Sequence, residues 1–178
     1  HYLAKELILE MLDSPESITY LGMFDRFNWV TNHQSKISIS GLEDLKEDLI
    51  DAKNSRTMLL SYDNESLSEQ QKITKKIAVF DLNNFIKEEE EFPFHNYPLN
   101  QIGGIHLNLV EFMTDVHPIR NKKEAEAYIE RLDLFDDSYR GALEILNEQK
   151  KAGIFPPEFV FDHVIRQLDE FLNFTKKD

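Results

Sequence analysis

The sequence predicts an all-α fold: an antiparallel bundle of about seven or eight helices with a long aromatic-rich loop near 92–104. Three observations predict it. Apolar residues recur at the helical period in nearly every segment, helix-start signals precede several of those stripes, and no segment alternates apolar and polar residues with period two between turn signals. Apolar material suffices for a core, since 41% of the 178 residues are hydrophobic and 13 are Phe. With no Gly/Ser-rich or Pro-rich linker and no repeat at solenoid spacing, residues 1–178 read as one helical domain.

Leu7, Ile8 and Met11 fall at helical spacing, and Ser14-Pro15-Glu16 then supplies an N-cap with Pro at the first position of a short helix running through Leu21. From Met23 to Ile39 the periodicity is lost, and Phe24, Phe27 and Trp29 are expected to anchor a loop. Ser40-Gly41-Leu42-Glu43 reads as a capping box for a helix whose inner face carries Leu42, Leu45, Leu49, Ala52 and Leu59. After a turn at Tyr62-Asp63-Asn64, a second box at Ser66-Leu67-Ser68-Glu69 opens a long helix with Ile73, Ile77 and Phe80 as its expected stripe. These two helices should form an antiparallel hairpin, and Glu88-Glu89-Glu90-Glu91 at its end reads as a solvated, fraying terminus in preference to a cation or peptide site.

Phe92 to Gly104 contains Pro93, Pro98, Gly103 and Gly104 and cannot continue a helix. Phe94 and Tyr97 within it serve either a binding loop or a plug over the core. Ile105, Leu109 and Phe112 open the next helix, which Val116-His117-Pro118 ends. Asn121, with Glu124 three residues on, caps a helix whose Ala125, Ile129 and Leu132 should face inward. Phe135, Tyr139, Ala142 and Leu146 make the following stripe, closed by Gly153. After Pro156-Pro157 the last helix presents Val160, Val164, Leu168 and Phe171, and Lys176 and Lys177 complement its C-terminal dipole.

Charge and residue usage narrow the function. With 20 Lys+Arg against 33 Asp+Glu, the net charge of −13 repels polyanions, so nucleic acid is not an expected partner, whereas cations, basic peptides and neutral substrates remain compatible. The absence of Cys excludes disulfides, thiolate zinc sites and a cysteine nucleophile. No run reaches the roughly 18 apolar residues that span a bilayer, and the chain as given reads as soluble. It opens on His1 in place of Met, which leaves room for an upstream signal or lipid-attachment segment. His95, His106 and His117 recur at even intervals, but Pro98, Gly103 and Gly104 prevent one helix from gathering the first two around a metal, and His-Glu-x-x-His is absent. Asp115 and His117 near Glu111 form the nearest thing to an acid/base pair, with helix-end hydrogen bonding as the competing use. No nucleophile elbow, phosphate loop or Ser-x-x-Lys is present, so no catalytic or metal residue and no cofactor is assigned to this chain.

Asn100-Gln101-Ile102-Gly103-Gly104, Phe112 to Pro118, Ala125-Glu126-Ala127-Tyr128-Ile129-Glu130-Arg131-Leu132, Gly141 and Ala152 to Val160 occur in an order that resembles the N-terminal part of the bacterial domain-of-unknown-function family 885. The opening Ser14-Pro15 to Leu21-Gly22 suits it too. The resemblance implies the N-terminal helical region of a longer protein, exported, periplasmic or lipid-anchored, whose C-terminal part is similar to zinc metallopeptidases. Zinc would then belong to the parent protein and not to these residues. It further implies that the segment forms or covers a substrate cleft and touches the C-terminal remainder of the same protein, with Phe94, His95, Tyr97, Asn100 and Arg131 as the candidate contact residues and a peptide as the candidate substrate. Self-association through uncovered apolar surface is an accompanying expectation. The alternative is a free-standing acidic helical module that binds a peptide or protein partner.

Overall fold

The computed structural model describes residues 2–22, 24–27 and 31–173, and among them the backbone is helical with connecting turns and no strand. The helices are α1 (Tyr2–Asp13), α2 (Pro15–Tyr20), α3 (Leu42–Ser61), α4 (Glu69–Glu91), α5 (Ile105–Glu111), α6 (Lys122–Asp133), α7 (Phe135–Ala152) and α8 (Glu158–Leu172). The all-α reading holds.

Caps set most of the boundaries. Ser14 Oγ accepts from the Ser17 N–H at 3.3 Å with Pro15 at the first helical position. Asn121 Oδ1 accepts from the Glu124 N–H at 3.2 Å. Both capping boxes sit later than the sequence reading placed them. Gly41, not Ser40, caps α3, and having no side chain it makes only half a box, in which the Asp44 carboxylate accepts the Gly41 N–H at 2.7 Å. At α4 the box is Ser68 with Gln71, each side chain accepting the other's backbone N–H. Ser66 instead closes the preceding turn through the Asp63 carbonyl. Four-residue windows overlap in such Ser-rich stretches, and only the backbone geometry selects among them. Gly153, at φ 72°, ends α7 in the left-handed conformation that glycine adopts without steric cost. Lys176 and Lys177 lie outside the described residues.

α3 and α4 form the expected antiparallel hairpin: Lys53 pairs with Glu90 at 2.6 Å and Arg56 with Asn83 at 3.2 Å, so numbering rises in one helix as it falls in the other. The helix reaches Glu91, with Glu90 and Glu91 both in ion pairs with lysines. α7 lies at the centre, packed against α3, α5 and α6. Gly141 allows the chain entering α3 to lie close against α7, since a Cβ there would lie 2.4 Å from the Ser40 carbonyl oxygen. Ile18, Leu59, Ile86, Leu109, Met113, Ala142, Ile145, Val160 and Val164 make up much of the buried apolar core.

Two helices are rotated from their expected faces. On α4, Ile73, Ile77 and Phe80 are 54%, 56% and 63% exposed, while Val79, Leu82 and Ile86 turn toward α3. The two rows, spaced 4-3 and 3-4, both have the spacing of an inward stripe, so periodicity could not choose between them. On α6, Ile129 and Leu132 are exposed, and Glu124, Ala127 and Arg131 are buried in their place. The loop after α2 is likewise not anchored by its aromatics. Phe24 and Phe27 are exposed, while His33, Gln34 and Ser35, in a short 3-10 turn (His33–Ser35), are buried. Trp29 lies outside the described residues.

Candidate functional site

Arg131 is the most buried large side chain among the described residues, at 0% exposure. An isolated guanidinium is costly to remove from water, so its partners decide whether the arrangement is tenable. It has four close ones. Nε donates to the Lys36 carbonyl at 2.8 Å, Nη1 to His117 Nδ1 at 2.7 Å, and Nη2 to Thr19 Oγ1 and the His33 carbonyl, both at 2.7 Å. The guanidinium carbon also lies 4.8 Å from the centroid of the Phe112 ring, a cation–π distance. Among the described residues no carboxylate forms an ion pair with it. Burial therefore lowers the Arg131 pKa to about 10, with the Glu16 charge acting in the opposite direction, and the group remains charged at neutral pH. One α6 side chain thus ties together α2, the His33–Ser35 turn and the connection after α5.

The neighbouring rings are fixed by the same network. His117 is 6% exposed, and its Nε2 faces the Glu124 carbonyl at 3.0 Å. A carbonyl only accepts, so Nε2 carries the proton and Nδ1 offers its lone pair to Arg131. The ring is neutral, and burial, with Arg131 adding to it, holds its pKa below the ordinary value against the opposing Glu124 contacts. His33 follows the same logic: burial and Arg131 depress its pKa, Thr31 Oγ1 lies 2.7 Å from Nδ1, and Asp25 at 3.8 Å from Nε2 is too far for a hydrogen bond. Toward the surface, Arg120 binds both Glu124 oxygens and reaches Asp25 at 2.7 Å. Those bonds hold the Glu124 carboxyl below its usual range.

The loop from Phe92 to Gly104 is pinned at two places. Gln149 on α7 donates from Nε2 to the Phe94 carbonyl at 2.6 Å and the Asn96 carbonyl at 3.2 Å, holding Phe94 at the left-handed φ of 66°. Gln167 on α8 donates to the Gln101 carbonyl at 3.2 Å while its Oε1 faces His106 Nε2 at 3.0 Å. Asn100 Oδ1 accepts from the Ile102 and Gly103 N–H groups, turning the chain into α5. Gly104 lets that turn close, since a Cβ there would sit 2.6 Å from the Asn100 nitrogen and 2.8 Å from the His106 ring.

The sequence-derived site residues thus separate into two groups. Phe94, His95, Tyr97 and Asn100 share the loop, with His95 exposed and the others half-buried. Arg131 belongs to the interior hub and does not reach that surface. His95, His106 and His117 each bond a different partner: the Phe92 carbonyl, Gln167, and the Glu124–Arg131 pair. Asp115 is exposed and makes no pair with His117, both of whose ring nitrogens are occupied. Among the described residues no group of three or more His, Asp or Glu is placed to hold a metal ion, and none of their helices is long and apolar enough to cross a membrane. Sequence reasoning missed Thr19, His33, Gln149 and Gln167, because the partners that place them lie between 53 and 112 residues away.

The architecture is that of an acidic helical bundle braced internally by a buried cation. The family model for bacterial proteins of unknown function, domain-of-unknown-function family 885, matches residues 15–178, and the chain belongs to that family. No curated protein and no solved structure matches it.

Proposed function

We propose that this chain is a non-catalytic helical region of a larger, zinc-metallopeptidase-like bacterial protein, standing at the N-terminal side of a metal-bearing part and helping to form or cover its substrate cleft. The observation that carries this reading is apolar surface on two helices of a braced scaffold. Ile73, Ile77 and Phe80 face outward on α4, and Phe161, Ile165 and Leu172 do so on α8, at 43%, 57% and 77% exposure. Rows of this kind on helices that already pack on their other side suit a second packed layer. The C-terminal remainder of the same polypeptide is the proposed layer, and the half-buried Phe94, Tyr97 and Asn100 lie on a rigid loop able to meet it or a peptide substrate. In this reading the hub holds the wall in shape, and zinc chemistry belongs to the part that carries His-Glu-x-x-His.

The test starts from the gene. Translation beyond Asp178 is expected to give a His-Glu-x-x-His helix, and the extended protein is expected to bind zinc stoichiometrically and to bind less of a hydrophobic dye than residues 1–178. A reading frame that closes at Asp178, with a monomeric chain that binds no dye, would replace this reading with the free-standing binding module.

A further inference from the structure

A groove of about 410 Å³ opens where the first half of α3, the end of α4, the start of the loop and α7 converge. Leu42, Leu45, Leu49 and Phe94 make its apolar lining, and Lys46, Glu89 and Glu148 are the charged side chains along it. Lys46 is paired with Glu43 and Glu148 with Lys151, each at 2.6 Å. Glu89 has no ion pair among the described residues, although Glu90 and Glu91 beside it each hold a lysine. Its position sets it apart from a solvated carboxylate. Val79, Leu82 and Ile86 are the row of α4 turned toward α3, and Glu89, three residues further on, continues that row as a half-buried carboxylate where an apolar residue would extend the seam. Burial, and then the charges of Glu88 and of Asp48 on α3, push its carboxyl above the ordinary range. α4 ends two residues later, so the negative end of its dipole adds to the same field.

We propose that this groove binds a short cationic peptide segment of a partner protein, seating an apolar side chain among Leu42, Leu45, Leu49 and Phe94 with a neighbouring Lys or Arg on Glu89. Charge complementarity selects that occupant. An anion is repelled both by Glu89 and by the net charge of −13, and a purely apolar ligand would desolvate the carboxylate further without pairing it. A bare divalent cation needs several oxygen ligands, and among the described residues no three His, Asp or Glu side chains are placed to supply them. A Lys or Arg needs only the one carboxylate and brings an aliphatic stem suited to the leucines beside it. The receptor surface is set in advance, since Gln149 holds Phe94 in place through its carbonyl. All of these walls lie within residues 1–178, away from the outward row of α4, so the proposal stands apart from the reading of a C-terminal remainder.

The experiment is a titration of the ¹⁵N-labelled chain with the acetylated, amidated peptide Gly-Lys-Leu-Lys-Gly and with analogues in which Gln replaces both lysines or Ser replaces the leucine. The parent peptide is expected to shift the backbone amide signals of Leu45, Leu49 and Phe94 and to bind about fivefold more tightly than either analogue, the upper end of an exposed ion pair's contribution because Glu89 is half-buried. Glu89→Gln should erase the preference for Lys over Gln. Glu65→Gln, which removes the same charge at the far end of the α3–α4 hairpin, should keep it. The peptide series needs no variant, so a misfolded Glu89→Gln leaves the test intact. Equal affinity for the three peptides, shifts spread over the acidic surface instead of the groove, or no shift at millimolar peptide overturns the proposal, and none of these outcomes bears on what the gene encodes beyond Asp178.

Discussion

Acidification from pH 7 to pH 5.5 should destabilise this protein through His117 and His33, and the magnitude follows from the hub. Both rings are buried and neutral in the fold, at 6% and 1% exposure, and both have pKa values lowered first by burial. In the unfolded chain each returns to an ordinary value near 6.5. Below that pH the unfolded state binds protons that the native state refuses, so stability is fully present above about pH 6.5 and is lost as pH falls, until the depressed folded values are reached. Each such histidine contributes up to about 1.4 kcal/mol per pH unit in that window, and the pair up to about 2.7. Protonating His117 in place would put a second N–H against the Arg131 guanidinium, losing a 2.7 Å hydrogen bond and adding like charge. Glu124 acts in the same direction at lower pH, because its carboxyl is held below the usual range by Arg120 and that stability is lost only as the group protonates. Asp48 and Glu89 act oppositely, since burial and carboxylate neighbours raise their pKa values.

Urea denaturation followed by circular dichroism at half-unit steps from pH 7.5 to pH 5 measures the slope. His117→Gln retains a donor near the ε position and cannot take a proton, so its slope is expected to fall short of wild type by up to about 1.4 kcal/mol per unit. A wild-type stability that is flat or rising between pH 7 and pH 5.5, or a His117→Gln slope equal to wild type, refutes the assignment of a neutral, doubly bonded His117.

The remaining predictions concern the same packing. Arg131→Leu removes the donor from three buried acceptors, belonging to His117, Thr19 and His33, and from the part-buried Lys36 carbonyl, and should cost about 3–5 kcal/mol in urea at pH 7.5, a large share of an ordinary domain's stability. Amide exchange should quicken first between residues 15 and 36, and a loss under about 1 kcal/mol would mean the hub is not what holds that segment. Gly141→Ala sets a helix-propensity gain of about 1 kcal/mol against a Cβ placed 2.4 Å from the Ser40 carbonyl. Because that neighbour is backbone, overpacking of about 1–3 kcal/mol should prevail, and a variant that melts higher than wild type would show that α3 and α7 can separate freely.

What the sequence revealed was periodicity and local chemistry. Helix existence, the Ser14 and Asn121 caps, the Gly153 stop, the α3–α4 hairpin and the inner face of α3 all depend on residues within a few positions of one another. What it hid was rotation about the helix axis. α6 carries Ala125, Ile129 and Leu132 on one row and Glu124, Ala127 and Arg131 on another, and hydrophobicity alone prefers the first. The second is buried because Arg131 finds its acceptors on segments 95 or more residues upstream, together with a neutral histidine 14 residues away. No property of α6 announces those partners. The candidate contact residues divide for the same reason: Phe94, His95, Tyr97 and Asn100 share a surface because they are neighbours in the chain, while Arg131 was grouped with them by resemblance and lies elsewhere.

The exposed row of α4 and the buried charge of α6 invert the usual ranking of burial, and the two inversions have different causes. At α6 a polar interior is tolerable because nearly every lost contact with water is replaced by a hydrogen bond of 2.7–2.8 Å, and a ring face covers the remaining side of the cation. At α4 no such replacement exists. Ile73 and Val79, or Ile77 and Leu82, lie on well-separated sectors of one cylinder, and α3 is a single helix that can cover only one of them. Isoleucine and phenylalanine at more than half exposure contribute less to this bundle than they would if buried, yet their helical spacing matches that of the row that packs. A helix with two apolar seams is built to be packed twice, and among the described residues the main packing partner of α4 is α3. The outward seam is therefore where the proposed remainder of the protein should dock, and Phe80→Glu is the change expected to detach it without loosening the hairpin.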